Sequence, residues 1–325
     1  MKTKTLALCA AFCAALCSAG SLAAPAQAAE KISIGIIGGP GGGAWEYYIA
    51  QQEGYFAKAG IDPDFIYVPS APGLMQQLVA GSLDVVCVDG VVEPIHADAA
   101  GAKVGILRIL HGTSAYELMA KASIKSVKDL KGKSICLGGI KDITRVYIEQ
   151  IMKANGLKDS DVSFVIVPNT AERLAALKSG TVAATMLLPP ESFMAAKAGF
   201  HNIAWIKDYA GDIPFASADT TFAWASAHRV AAKKLIDVLD QSIAWFYAHR
   251  SGAIDALVKA SHAPRPLVAE SYDVVSKIGM FPKSSAVSRR GLEDLIDAMK
   301  LIGDLQGETV TPSQLLIPGV TSAGP

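Results

Sequence analysis

An order of strands and helices that occurs twice along the chain restricts the possible folds more than any other feature of the sequence. In the first copy, an apolar strand over 31–37 leads into a glycine-rich turn and a helix over 44–59, and a further strand, helix and strand end near residue 88. The same order returns over 134–188. Alternation of buried strands with helices predicts a parallel sheet that is covered on both faces.

The two copies also share residues that hydrophobic periodicity alone does not require. Any two units of this type have apolar positions in common, but here glycine, proline, tyrosine and glutamine recur at one constant offset. The aligned pairs are Gly39 and Gly138, Tyr48 and Tyr147, Ile49 and Ile148, Gln51 and Gln150, Phe65 and Phe164, Pro69 and Pro168, and Gly81 and Gly180. We therefore predict two similar α/β lobes.

The first 28 residues have the parts of a secretory signal. Lys2 and Lys4 precede an uncharged run over 6–22, and small residues lead up to Ala28. A membrane anchor is the alternative interpretation, but Pro25 and the lack of a following charge cluster favour cleavage near Ala28. We expect a periplasmic protein, exported by the Sec route as residues 29–325.

Composition and cysteine placement exclude several classes of function. Basic and acidic residues number 30 each, so no charge pattern for nucleic acid is present. Beyond the signal only Cys87 and Cys136 remain, in predicted strands of different lobes, and we expect no disulfide between them. The six histidines lack metal-site spacing, and we expect no metal. The run over 39–44 fits a dinucleotide fingerprint, but no acidic residue follows the second strand, so we expect no cofactor.

The repeat also predicts where a ligand binds. In parallel α/β sheets, ligands lie beyond the carboxyl ends of the strands, where helix N-termini offer free N–H groups. If the lobes face each other, these loops line one cleft that suits an anionic or strongly hydrogen-bonding small molecule. The candidate ligand-binding residues are Gly39, Gly42, Trp45, Ser70 and Asp89 in the first lobe, and Gly139, Thr144, Arg145, Asn169 and Glu191 in the second.

Four of these side chains leave two interpretations open. Arg145 could grip a carboxylate through both of its terminal nitrogens, or lie on the outer face of its helix. Trp45 could stack on an aromatic ligand, or pack into its own lobe. Asp89 and Glu191 would disfavour a bare inorganic anion, and could accept from a ligand hydroxyl or amine, or merely cap helices. These residues favour a small organic acid as the ligand.

Four segments of the sequence resemble a known family. They are Q-E-G-Y-F-A-K-A-G-I over 52–61, L-V-A-G-S-L-D-V over 78–85, V-K-D-L-K-G-K over 127–133, and A-L-K-S-G over 176–180. This pattern resembles the substrate-binding proteins of bacterial ABC importers, in the SsuA/THI5/NMT1-like group for nitrate, sulfonates, taurine and thiamine precursors. One departure concerns 138–145, where the Ser/Thr-rich loop of sulfonate binders is reduced to Thr144.

The resemblance implies a fold and a function. The fold is an α/β, type II periplasmic-binding-protein fold, with lobe 1 over 29–115 plus 222–325 and lobe 2 over 116–221. The lobes would be joined by crossing segments near 111–116 and 207–221, and would close on the ligand like a hinge.

The implied function is that of a solute receptor. It would bind a small organic acid, a sulfonate or a carboxylate, possibly aromatic, and deliver it as a monomer to an inner-membrane ABC permease. Two alternatives remain: an enzyme on the related thiamine-pyrimidine-synthase scaffold, and a sensory binding protein that serves a membrane regulator.

Overall fold

The computed structural model describes residues 28–305 and 307–324, and its main elements form two five-stranded sheets. The signal predicted over 1–28 therefore lies outside the described residues, except for Ala28. The strands are β1 (Glu30–Ile37), β2 (Ile61–Val68), β3 (Val85–Asp89), β4 (Val104–His111), β5 (Glu117–Ala120), β6 (Ser134–Leu137), β7 (Ser163–Ile166), β8 (Ala184–Leu187), β9 (His201–Trp205), β10 (Ala216–Thr221), β11 (Val287–Ser288) and β12 (Ala323–Gly324).

The two large sheets have the same arrangement of strands. In the first, the order is β2-β1-β3-β10-β4, and β1 runs parallel to β2 and β3. In the second, the order is β7-β6-β8-β5-β9, and β6 runs parallel to β7 and β8. Each sheet thus contains three parallel strands from one copy of the repeat, as the sequence predicts.

Each sheet also contains an antiparallel strand that the repeat does not predict. β10 runs antiparallel between β3 and β4, and β5 runs antiparallel to β8 and β9. Both sheets are therefore mixed rather than wholly parallel. The placement of β10 also corrects the expected second crossing segment, because residues 216–221 belong to the first sheet and not to the second lobe.

The chain passes between the sheets twice among the described residues. The first passage is the segment 112–116, between β4 and β5, and the second is the segment 206–215, between β9 and β10. Phe215, in the second segment, packs its ring against Tyr116 in the first, with 5.6 Å between centroids. This contact joins the two crossing segments beside the space between the lobes.

Helices cover both sheets and extend the first lobe. They are α1 (Trp45–Gln52), α2 (Tyr55–Ala59), α3 (Ala71–Val79), α4 (Val92–Ala99), α5 (Ile143–Ala154), α6 (Thr170–Lys178), α7 (Glu191–Lys197), α8 (Phe222–Ala227), α9 (Arg229–Ala248), α10 (Arg250–Ser261), α11 (Arg265–Lys277) and α12 (Arg289–Leu301). The helix predicted over 44–59 is divided into α1 and α2, because Gly54 takes a left-handed conformation with φ of 70°.

The carboxy-terminal helices pack onto the first lobe because they are amphipathic. In α9, Leu235, Leu239, Ile243 and Phe246 recur every three or four residues and are all buried. This helix packs on α1 and α2, while α10 packs on α1 and α11. Within the described ranges, none of the helices is both long and apolar enough to cross a membrane.

Candidate functional site

A cavity of about 410 Å³ lies between the two sheets, within the range of small-molecule sites. The first lobe contributes the glycine-rich turn over 39–43, and the second contributes the loop ends over 169–171 and 188–191. His111, Ala115 and Phe215 line it at the crossing segments. Residues of α10, α11 and their neighbouring loops complete the wall; they are Leu257, Ser261, Ala263, Leu267, Val268, Ser271, Val275 and Met280. We call this space the cleft.

The glycine-rich turn forms because β1 must bend sharply where it ends. Gly38 has a φ of 73°, and its N–H donates to the Val68 carbonyl at 2.7 Å. A Cβ at Gly39 would have no atom within 4 Å. Gly39 lines the cleft, and a side chain there would displace no protein atom. The turn thus presents bare backbone to the cleft.

On the opposite side, the start of α6 is fixed by its own side chains. Asn169 Oδ1 accepts from the N–H groups of Ala171 at 2.9 Å and Glu172 at 3.3 Å, so it caps the helix. Thr170 Oγ1 accepts from the Arg173 guanidinium at 2.8 Å. The positive end of the helix dipole is therefore held at the cleft, although the Asn169 amide oxygen is already engaged.

Arg173 organises this side of the cleft, and the sequence patterns did not reveal it. It is 2 % exposed and donates to the carbonyls of Val167, Pro168 and Met186 at 3.2, 2.7 and 3.1 Å. A further bond of 3.2 Å reaches the Tyr116 hydroxyl on the first crossing segment. Arg173 therefore positions the loop ends, because its donors are directed to protein acceptors. Its position within an amphipathic helix gave no signal of this role.

Glu191 is the first residue of α7 and lies on the cleft wall beside Leu188, Pro189 and Pro190. Burial raises the pKa of its carboxyl group, while its own backbone N–H and the charge of Arg173 oppose the shift. Among the described residues that line the cleft, none is lysine or arginine. A strongly charged inorganic anion would therefore meet a carboxyl group and no cationic side chain.

Trp45 lines the cleft but is only 1 % exposed. Its Nε1–H donates to the Ala253 carbonyl at 2.6 Å, and its ring makes edge contacts with Phe246 at 5.2 Å and Tyr272 at 6.0 Å. These contacts join α1 to the carboxy-terminal helices. Of the two interpretations of Trp45, packing within its lobe is the one that agrees with this geometry.

Five of the ten predicted residues thus line one cavity: Gly39, Gly42, Trp45, Asn169 and Glu191. Of the others, Ser70 caps α3 by accepting from the Gly73 N–H at 3.3 Å. Asp89 ends β3, where its backbone is paired with Ala216.

Arg145 is directed away from the cleft, which corrects the expectation that it could grip a ligand carboxylate. It is 4 % exposed, donates to Glu149 at 2.9 Å and to Asp159, and lies over the Phe164 ring at 4.9 Å. A polar helix residue that faces its own lobe can satisfy its charge there. The pattern over 138–145 could not distinguish the two faces of the helix.

Gly139 and Thr144 shape the loop before α5 and do not line the cleft. Thr144 Oγ1 accepts from the Gly138 N–H at 2.8 Å, and a Cβ at Gly139 would lie 3.1 Å from that of Asp142. This loop meets the first lobe, since a Cβ at Gly90 would lie 3.3 Å from the Ile143 side chain. The lobes are therefore in contact at this loop.

An ion pair between the lobes accompanies this contact. Lys141 Nζ of the second lobe lies 3.0 Å from Asp304 Oδ1 of the first, and Asp304 Oδ2 lies 2.6 Å from Nε2 of His96 in its own lobe. Burial, and then the charges of Asp142 and Asp304, raise the pKa of Glu93 to about 7. The described arrangement is thus one in which the two lobes touch.

This geometry defines a class of protein. Two mixed sheets of equal strand order, two crossing segments and a cleft between strand ends constitute the type II periplasmic-binding-protein fold, so the predicted fold class is confirmed. The chain belongs to the NMT1/THI5-like family, whose model matches residues 44–253. The resemblance inferred from the four sequence segments is therefore confirmed. The sequence has no significant match among curated proteins.

Solved structures share this fold at low sequence identity. The aliphatic sulphonate binding protein SsuA from Escherichia coli superposes with a TM-score of 0.75 at 19% identity, over 90% of this chain and 98% of that one. SsuA from Xanthomonas axonopodis pv. citri, bound to MOPS, gives 0.72 at 18% identity, over 92% and 100%. The nitrate-binding protein NrtA from Synechocystis PCC 6803 gives 0.66 at 14% identity, over 91% and 93%.

Proposed function

We propose that this protein is the extracytoplasmic receptor of an ABC importer, and that it binds a small organic acid with an aromatic or similarly apolar body in the cleft. The observation that carries the proposal is the composition of the cleft wall. Backbone of the glycine-rich turn and the start of α6 face apolar side chains that include Phe215, Leu188 and Met280. Asn169 already accepts from the Ala171 and Glu172 N–H groups, so the N–H groups of the glycine-rich turn are the ones that suit a carboxylate, and the apolar wall suits a ring or branched chain.

The described residues that line the cleft include no lysine or arginine. This composition favours carboxylates over sulfonates and nitrate. Glu191 adds a carboxyl group to the same wall. A sulfonate or nitrate ion is the anion of a strong acid, so it stays charged in the cleft and has only backbone dipoles to offset its desolvation. Burial raises the pKa of a carboxyl group and so lowers this cost for a carboxylic acid, and an apolar body adds free energy that nitrate lacks. We therefore place carboxylates ahead of sulfonates.

Binding and delivery follow from the position of the cleft. A ligand that contacts both lobes stabilises the closed form by its differential affinity, and so shifts the population toward closure. The closed form is the one we propose the permease recognises. The family, the fold and the names of the similar solved structures support this role.

A thermal-shift screen tests the proposal, because a compound that binds only the native state raises its stability. The panel comprises aromatic and aliphatic carboxylates, alkanesulfonates, pyrimidines and nitrate, each added to residues 29–325. We expect aromatic carboxylates to raise the melting temperature most. Gly39→Leu, which adds a bulky side chain at the cleft wall, should abolish the shift, while Ala80→Leu, an exposed position outside the cleft, should retain it. A shift that survives Gly39→Leu would contradict the proposed site.

Three further properties belong to the proposal. We expect cleavage after Ala28, so that amino-terminal sequencing of periplasmic protein begins at Ala29. We expect a monomer in light scattering, with and without ligand. We also propose binding without turnover, so a stabilising compound should be recovered chemically unchanged after prolonged incubation. Recovery of a product would favour the enzyme alternative.

A further inference from the structure

His111 differs from the other buried polar side chains of the cleft because both of its ring nitrogens are unpaired within the described part of the chain. It is the last residue of β4, lines the cleft and is 0 % exposed. Neither Nδ1 nor Nε2 has a hydrogen-bond partner among the described residues. Buried polar atoms without a partner cost free energy, and each one calls for an explanation.

The two serine hydroxyls that line the cleft already donate to protein carbonyls. Ser261 donates to the Leu257 carbonyl at 2.7 Å, and Ser271 donates to that of Leu267 at 2.9 Å. Asn169 Oδ1 and Thr170 Oγ1 accept hydrogen bonds at the start of α6, and neither residue is buried. Among the described residues that line the cleft, His111 is therefore the buried side chain that has both a donor and an acceptor available to a ligand.

Aromatic neighbours hold the imidazole in place. Its ring stacks on Phe215, with 5.7 Å between centroids and 26° between planes, and contacts Phe281 edge-on at 5.0 Å. These surroundings would suit phenylalanine at the same position, so packing alone does not explain a polar ring. Burial, and then the nearby Arg108, lower the pKa of His111 to about 3, which leaves the imidazole neutral.

We propose that the ligand is an aromatic acid whose ring carries a hydroxyl group, and that neutral His111 binds this hydroxyl. The inference rests on the proposed function and names the substrate class more narrowly. A hydroxyl group both donates and accepts, so it can pair with either tautomer of the imidazole. It is also uncharged, which agrees with the apolar wall formed by Phe215, Val268 and Met280.

Matched acids test this inference by isothermal titration calorimetry at pH 7. Benzoate, 3-hydroxybenzoate and 4-hydroxybenzoate are titrated into wild-type protein and into His111→Phe, which keeps the aromatic packing and removes both polar atoms. We expect one hydroxybenzoate to bind wild-type protein about fivefold more tightly than benzoate, the effect of one added hydrogen bond. In His111→Phe this preference should disappear while benzoate still binds. His249→Phe, the same exchange at an exposed position, should keep the preference.

The possible outcomes separate the inference from the proposed function. If the benzoates bind wild-type protein equally, or if His111→Phe keeps the preference, the role of His111 is refuted and the receptor stands. If no organic acid of the screening panel binds at all, the proposed function fails and the inference with it. If other acids bind and the three benzoates do not, the inference alone fails.

A measurement on wild-type protein covers the case in which His111→Phe does not fold. With ¹⁵N-labelled histidine, the imidazole nitrogen resonances of His111 should move on addition of the preferred hydroxybenzoate and move less with benzoate. Resonances that stay in place with both bound acids would overturn the inference.

Discussion

Replacement of Trp45 by alanine should lower the free energy of unfolding strongly, because the side chain is buried and barely contributes to the surface of the cleft. The side chain is 1 % exposed, and loss of such a buried ring costs about 3–5 kcal/mol. The Ala253 carbonyl also loses the indole N–H that donates to it at 2.6 Å, which adds about 1 kcal/mol. We therefore expect the free energy of unfolding to fall by about 4–6 kcal/mol, a large part of the stability of an ordinary domain.

Urea denaturation at 25 °C, followed by circular dichroism, measures this loss. Trp45→Phe keeps most of the ring contact with Phe246 and should lose only about 1–2 kcal/mol. Trp224→Ala is the matched control, since Trp224 is only half-buried and stacks on the exposed His228, and it should cost less than half as much as Trp45→Ala. If Trp45→Ala retains wild-type stability but loses binding of the stabilising acid, Trp45 faces the ligand and our placement is refuted.

Three other substitutions give expected results of different kinds. Burial raises the pKa of Asp219 from 3.8 to about 8. Between these two values the unfolded chain releases the proton and the folded protein keeps it. The contribution of Asp219 to the free energy of unfolding is therefore present below about pH 4 and is lost as the pH rises toward 8, by up to about 1.4 kcal/mol per pH unit. Asp219→Asn should flatten this decline in urea titrations at pH 5, 6.5 and 8, and an unchanged slope would count against the burial of the carboxyl group. Lys141→Ala removes the interlobe pair with Asp304 and should enlarge the radius of gyration in X-ray scattering without ligand, whereas identical curves would show that the pair does not favour closure. Arg145→Met should lower the free energy of unfolding by about 1–3 kcal/mol and leave the affinity for the stabilising acid unchanged. A tenfold loss of affinity would show that Arg145 contacts the ligand.

The duplicated unit could be predicted because each copy carries strong local signals. Glycine turns, strand lengths and amphipathic helices are set by nearby residues, so the predicted strand over 31–37 lies within one residue of β1, and both copies begin and end within one residue of the described strands. The antiparallel strand β10 could not be assigned in this way. Its pairing with β3 and β4 joins residues more than 100 positions apart, which no local pattern encodes.

The cleft could be predicted only in part, because local sequence patterns determine some of its residues and not others. Positions such as Gly39 and Glu191 follow directly from strand ends, so the rule for parallel sheets places them. The direction of a side chain on a helix depends on tertiary packing, and Arg145 was therefore left undecided. His111 was missed as a ligand-binding candidate because a single histidine at a strand end resembles any other until its burial and unpaired nitrogens are known.

The central claim is that a small acid binds between the two sheets, in contact with both lobes. A crystal structure of residues 29–325 with the acid that raises the melting temperature most tests this claim directly. We predict electron density for the acid between the turn over 39–43 and the loop ends over 169–171 and 188–191. Density elsewhere on the protein, or density in contact with one lobe only, would contradict the account.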